Sequence, residues 1–502
     1  MNYVQGTGKS RGVGTALLLA VMALTVAGTA IPAQAQASYN VYTFQGNSTN
    51  GLPSEPAGLV AQGQDGNLYG YSSSGGSCNK KRGCGTIYEM NLTSGPPPTV
   101  LYNFLTYDDC GLGLTLGTDG NFYGACTKGG ANGHGYVFQF VPSSRAFNEY
   151  SFSHAGTPSS RPIEATPGTF YGTTITGGNG YGTVYQITPP GPPTTLYSFT
   201  VTDGNYNDAY PNGPLFLGTD GNLYGTTQAG TDSSARPFPM CPGTHCGAIY
   251  NISPAGGAPN FLYTFTGAPS DGGTPTRGVI EGSDLNFYGT TVQGGADNLG
   301  TIFQWTPGSP PVILYSFITS HYGYPRGLTE LPYLNFYGDA NGCSIMKGCF
   351  DDGTIFEFTT TSGFIPTVEL MGKVAPLGSF PDSTLSHTNG TLYGVTGTGG
   401  KYNDGVFYSL TPSEAPTDEE TQFCRPQLPL GQEGGQVYIL GQNFSQNSSE
   451  VYFGGVQATA VTVNETGTLI TATIPPGAQT GPVTVNTGST TLTSLLPFTV
   501  TD

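Results

Sequence analysis

Short apolar runs separated by Gly, Pro, Asn and Asp recur along this chain in one fixed order, and that order is repeated seven times. The fourth copy shows it most plainly. Residues 211–217 predict a short strand, Asp220-Gly221-Asn222 a turn, and Leu223-Tyr224-Gly225-Thr226-Thr227 a second strand. After a variable loop, residues 247–252 predict a third strand and residues 261–265 a fourth, with Pro and Gly between them. The Asp-Gly step favours a tight hairpin because Gly accepts positive φ without steric penalty. A Tyr-Gly pair marks the second strand of every copy, at Tyr69-Gly70, Tyr123-Gly124, Tyr171-Gly172, Tyr224-Gly225, Tyr288-Gly289, Tyr337-Gly338 and Tyr393-Gly394, spaced by 54, 48, 53, 64, 49 and 56 residues. That period is close to one four-stranded propeller blade.

The ends of the array predict a closed ring. Fourth-strand segments occur at 101–104, 149–152, 196–199, 262–265, 314–317 and 368–371, whereas the seventh copy stops after residue 410. A matching run, Val41-Tyr42-Thr43-Phe44, stands alone before the first copy. Such a strand would complete the blade begun at the other end and pair two exposed edges, where an open solenoid would carry dissimilar capping repeats. The expected fold is all-β: a seven-bladed β-propeller over residues 38–410 closed by an N-terminal strand, then an acidic linker over 411–423 and a second domain over 424–502.

The units Asp-Gly-Asn-Leu-Tyr-Gly-Thr-Thr, Gly-Gly, Gly-Thr-Ile-Phe and Leu-Tyr-Ser-Phe resemble the tandem GloVer repeat of exported bacterial proteins, of the choice-of-anchor type, over residues 39–410. That resemblance brings no established activity. The Asp-Gly-Asn turn is also similar to one in the propeller of streptogramin lyases, but no catalytic His can be matched, so the likeness is one of fold. Residues 436–444, Val451-Tyr452-Phe453-Gly454-Gly455, Ile474-Pro475-Pro476-Gly477 and Gly481-Pro482-Val483-Thr484-Val485 resemble an IPT/TIG domain in the right order. The resemblance implies an immunoglobulin-like β-sandwich, a fold used in DNA-binding factors, cell-surface receptors and bacterial surface proteins and enzymes. Acidity and export exclude the first setting, leaving a spacer or a contact module.

Composition agrees with strands: 78 Gly and 39 Pro against 9% charged residues disfavour helices, while 31 Tyr and 27 Phe suit sheets. Lys9 and Arg11, an apolar run over 16–27 and then Ala33-Gln34-Ala35 predict a signal peptide over 1–37. The run is too short for a permanent anchor, no Cys near the cleavage site would take a lipid, and residues 498–502 form no hydrophobic tail. A secreted, periplasmic or cell-surface protein without a membrane span is expected. Losing Lys9 and Arg11 takes the formal charge from −17 to −19, which argues against nucleic acid and anionic lipid as partners.

Nine Cys in an exported chain predict disulfides. Spacing pairs Cys78 with Cys84, Cys241 with Cys246 and Cys343 with Cys349 across loops, and Cys110 with Cys126 across a hairpin, leaving Cys424 over. The close pairs have no accompanying His ligands, which favours disulfides over a metal site.

Common catalytic templates fail: no His-Glu-x-x-His, Gly-x-Ser-x-Gly elbow or phosphate loop stands in a suitable context, and no catalytic residue, metal or cofactor is predicted. The five His, at 134, 154, 245, 321 and 387, form no ligand spacing. Asp203, Asn205, Asn207 and Asp208 are spaced like calcium-loop oxygens but lack the Gly and Glu of an EF-hand. The repeated Tyr, and Trp305 at the position of Met90, Phe140, Ile187, Ile252, Phe358 and Leu410, predict packing between blades. Gly75-Gly76 and its equivalents predict a structural turn.

Two charged features remain. Glu164, Glu281 and Glu330 align, and Arg277 and Arg326 stand four residues before their Glu, on one strand face. Arg277, Glu281, Arg326 and Glu330 are therefore candidates for a channel site that holds a carboxylate by paired hydrogen bonds; the alternative is that each Arg pairs with its own Glu as a structural link. The longest insertions, which contain the close Cys pairs, share a face with Tyr206, Tyr210, Phe238, Tyr322 and Tyr324. The expected protein binds an extracellular polysaccharide or a surface protein. Its rival is a polysaccharide lyase or glycoside hydrolase using carboxylates near the axis. The sequence sets no oligomeric state.

Overall fold

The computed structural model describes residues 38–501 apart from 47–50, 79–81, 155, 202–208, 229–245, 319–322, 332–333, 341–350, 361–362, 372–378, 382–385, 389–390, 412–424, 427, 441–443, 447, 465–466, 468, 489–490 and 495. All regular structure among these residues is strand. No helix among them is long and apolar enough to cross a membrane. The signal segment, the linker, the Asp203–Asp208 loop, and Tyr206, Phe238, Tyr322, Cys241, Cys343, Cys349 and Cys424 lie outside the described residues.

Each repeat forms one antiparallel sheet. The first strands are Pro53–Gln62, Thr115–Leu116, Ile163–Thr166, Phe216–Leu217, Val279–Glu281 and Pro325–Leu331, and each is followed by three more strands in sequential order. In the seventh sheet Ser379–Pro381 and Ser386–Thr388 both pair with Thr391–Thr398, which pairs with Val406–Thr411. Ser38–Thr43 then pairs antiparallel with Val406–Thr411, Ser38 opposite Thr411 and Thr43 opposite Val406. In the fourth sheet the expected strand over 211–217 shrinks to Phe216–Leu217 plus a single bridge from Pro211 to Thr227. Gly213 at φ 92° turns the chain, and Pro214 has no N–H to give the ladder.

Register explains the Tyr-Gly marker. In all seven sheets its Gly lies opposite an aromatic of the third strand: Tyr88, Phe138, Tyr185, Tyr250, Phe303, Phe356 and Tyr408. A Cβ on Gly289 would meet the Phe303 ring, and one on Gly225 the Tyr250 ring. The glycine is the space in which that aromatic lies. Its Tyr neighbour stacks on the next sheet, Tyr123 on Phe170 with centroids 3.8 Å apart and Tyr288 on Phe336 at 4.2 Å. Trp305 is buried against Phe287 and Tyr224, as its alignment predicts.

Apolar clusters join the sheets in series. Phe138 and Tyr69 share one cluster, Tyr123 and Tyr185 the next, and Leu331 and Leu392 join the sixth and seventh sheets. A further cluster of Val395, Phe407, Phe44, Val60 and Tyr88 joins the seventh sheet to the first.

The C-terminal domain packs two four-stranded sheets, one containing Gln436–Leu440 and Leu469–Thr473 and the other Glu450–Phe453 and Val483–Asn486, around Ile439, Phe453, Ile470 and Val485. It belongs to the same compact unit as the array, residues 36–502. Leu428 and Leu430 join a cluster with Ile163, Leu215 and Leu217 of sheets three and four. Asn464 Nδ2 donates to Gln64 O at 2.9 Å, and Thr499 Oγ1 to Thr219 O at 2.6 Å.

Candidate functional site

Every first strand has two ends with different chemistry. At the turn end of sheets one, two, four and five, the Asp of the turn accepts from the Asn backbone N–H two residues on and from the Tyr hydroxyl four residues on. The motif thus closes on itself. The Gly between Asp and Asn has φ of 84°, 79° and 81° at Gly66, Gly120 and Gly221, and in sheet five Leu285 takes the same conformation at φ 64°.

Glu164, Glu281 and Glu330 also lie at this end, and each reaches the preceding sheet. Thr118 donates its N–H (2.7 Å) and hydroxyl (2.8 Å) to Glu164. Thr219 donates both to Glu281 at 2.9 Å, and Ser283 binds Glu330 in the same way. All three carboxyls are buried. Burial pushes each above the ordinary carboxylate range, Glu330 up to about 7, against the lowering effect of the donors. The groups acting on Glu281 are Thr219 and Asp220, and those on Glu330 are Ser283, Asp284 and Leu334. Neither the expected Arg–Glu pairs nor a shared cluster of all four residues describes this arrangement: Arg277 precedes its first strand, Val279–Glu281, and Arg326 is the second residue of Pro325–Leu331.

The other end, called here the loop end, carries the variable chemistry. Glu55, Asp109, Tyr210, Thr274 and Tyr324 stand there in equivalent places with φ between 52° and 62°. Backbone bonds hold them: Tyr210 N donates to Tyr181 O at 2.8 Å, Tyr324 N to Leu299 O at 2.9 Å and Thr274 N to Cys246 O at 2.7 Å. Half-buried Arg277 and Arg326 follow Thr274 and Tyr324 within three residues. Arg161 enters sheet three in the same way, and its Nη1 donates to Thr115 Oγ1 on the neighbouring first strand at 2.6 Å. Sequence alignment missed Arg161 because it stands three residues before its Glu, not four; the pairing register shifts just beyond, between Glu164 and Thr166.

Around sheets one, two and seven the loop end is acidic and aromatic. Arg82 pairs with Glu55 at 3.2 Å and Lys128 with Asp109 at 3.4 Å. Exposed Tyr107 and Tyr402 lie beneath Lys128 and Lys401, 5.3 Å and 5.1 Å from the ring centroids. Disulfides Cys78–Cys84 and Cys110–Cys126 fasten this region as spacing predicts. Cys246 is also disulfide-bonded. Among the described residues no group of His, Cys, Asp and Glu is arranged to hold a metal.

The Gloeobacter/Verrucomicrobia repeat matches residues 111–236 and 243–438, and the IPT/TIG domain matches residues 426–500. No curated protein matches the chain. Among solved structures, a fungal alcohol oxidase of the AA5 family in complex with copper is 14% identical, with 91% of this chain and 99% of that one covered at a TM-score of 0.40. TolB from Acinetobacter baumannii is 13% identical, with 56% and 58% covered at a TM-score of 0.35. Likenesses this distant transfer no activity.

Proposed function

The chain belongs to the Gloeobacter/Verrucomicrobia repeat family and ends in an IPT/TIG domain, and from that premise we propose an exported binding protein whose seven sheets close into a propeller over residues 38–410 and recognise an extracellular polysaccharide or surface protein. Pairing of Ser38–Thr43 with Val406–Thr411, and the cluster joining sheets seven and one, support closure. Export through a signal peptide over 1–37 accords with the disulfides.

One observation carries the binding reading. The repeated residues Asp, Asn, Tyr and Glu are engaged in bonds within and between sheets at the turn end, whereas the loop end differs from sheet to sheet in aromatics, arginines and ion pairs. A uniform scaffold with one individual face suits recognition. The rival lyase or hydrolase draws on Glu330, whose carboxyl titrates near neutrality as a general acid requires. A glycan array, followed by reducing-end release on each glycan that binds, decides between them. Binding without release supports a binder; release abolished by Glu330→Gln supports the enzyme.

A further inference from the structure

We infer that the C-terminal domain is a clasp: it holds sheets one to five of the array together by their turn ends, through three contacts that each fall on a boundary between neighbouring sheets.

The first contact is built from the opening and closing strands of that domain. Leu430–Gln432 and Thr499–Thr501 pair in parallel, with Leu430 opposite Thr499. Successive side chains of a strand point to opposite faces. Phe498 and Val500 accordingly join the domain's own core, and a Cβ on Gly431 would meet Ile474 and Phe498 there. Leu430 and Thr499 face a single turn of the array instead. Leu430 Cδ2 lies 3.6 Å from the place of a Cβ on Gly221, and Thr499 Oγ1 donates to Thr219 O at 2.6 Å. Thr219 is also the residue whose N–H and hydroxyl hold Glu281 of sheet five. The docked strands therefore fasten the junction of sheets four and five.

The other two contacts fall on earlier junctions. Leu428 is buried in a cluster with Ile163 of sheet three and Leu217 of sheet four. Asn464 Oδ1 accepts from Leu469 N at 3.0 Å within its own loop, which leaves Nδ2 to donate to Gln64 O of sheet one at 2.9 Å. Gln64 in turn rests on sheet two, its Oε1 2.8 Å from the place of a Cβ on Gly120. Turn carbonyls recur in every repeat, so hydrogen bonds to them alone would not choose among the sheets. Leu428 and Leu430 make the choice, because the cluster they enter is drawn from side chains of sheets three and four. Few contacts suffice for a domain tethered to the surface it docks on. Sheets six and seven are joined differently, by Leu331, Tyr337, Leu392 and Tyr408.

Hydrogen exchange and thermal unfolding of the full chain test the clasp with Thr499→Val and Asn464→Asp combined, which remove both donors and keep the side-chain shapes. Exchange over residues 64–69, 118–123 and 218–224 should rise about tenfold, while Asn335–Ala340 and Val406–Thr411 of sheets six and seven keep the parent's rates. Leu428→Ser with Leu430→Ser is expected to go further and let the C-terminal domain melt in a step of its own. If the leucine pair fails to fold, the donor pair still decides. Unchanged exchange at those turns in a folded variant overturns the inference. An equal rise in all seven sheets also overturns it, since that is general loosening and not the release of a clasp. The propeller and binding readings are judged apart from this, closure by deleting residues 38–44 and binding by the glycan array, and neither measurement depends on the three contacts.

Discussion

Ser283 donates its backbone N–H and its hydroxyl to the carboxylate of Glu330, the hydroxyl at 2.7 Å, across the boundary between sheets five and six. Truncation by Glu330→Ala leaves the half-buried N–H and hydroxyl of Ser283 without their acceptor. The expected loss is about 1–3 kcal/mol in denaturant unfolding, and Ser283→Ala, which keeps the N–H bond, should lose less. Equal stability of Glu330→Ala and the parent would show that this contact does not hold the sheets together.

The same carboxyl sets a pH dependence. Its native pKa, about 7, lies above the ordinary value of 4.5, so the folded chain binds this proton more tightly than the unfolded one. The resulting stabilisation is complete below pH 4.5 and is lost as pH rises through 7. Glu164 and Glu281 are shifted in the same direction. Melting midpoints measured from pH 5 to pH 8 should fall with pH, and Glu330→Gln should flatten that slope. An equally steep profile in the variant would assign the dependence elsewhere.

Leu285 holds a φ of 64° where four other described turns have Gly, and its side chain is 48% exposed. Little packing opposes its removal, while a side chain in this conformation costs about 1–2 kcal/mol. Leu285→Gly should therefore raise stability by up to about 1 kcal/mol, once the greater freedom of Gly in the unfolded chain is subtracted. A lower melting midpoint would mean that the leucine makes a contact worth more than its strain.

Deleting residues 38–44 removes the strand paired with Val406–Thr411 and takes Phe44 out of the cluster with Tyr88 and Phe407. Thermal unfolding should occur at a lower temperature, and with more than one step if the seventh sheet separates from the rest. An unaltered single transition would contradict ring closure.

Periodicity made the seven sheets legible because each repeats the same strand and turn residues at local spacing. The marker Tyr could be read as packing between sheets, but that its glycine makes room for an aromatic of the next strand appears only in the register. Partners across sheet boundaries could not be read. Thr219 and Glu281 are 62 residues apart, and the alignment that found Glu281 gave it a same-strand neighbour, Arg277, because face sharing is all that a single strand discloses. Tyr107 and Tyr402 escaped notice for the opposite reason: they belong to no repeat position, and only burial distinguishes them from the packed tyrosines.

Since Ser38–Thr43 pairs with the last strand of the array, the first β-segment made must wait for the last before it has a partner. Such a pairing writes a final step into chain order: six sheets can assemble as they emerge, but the seventh needs both extremities at once. Contacts between distant ends form slowly. Until they form, two strand edges are available to other chains. A translocation route that delivers the chain unfolded and releases it only when whole would shorten that interval, whereas a chain cut short within the seventh repeat would keep both edges exposed and be prone to join with its own kind.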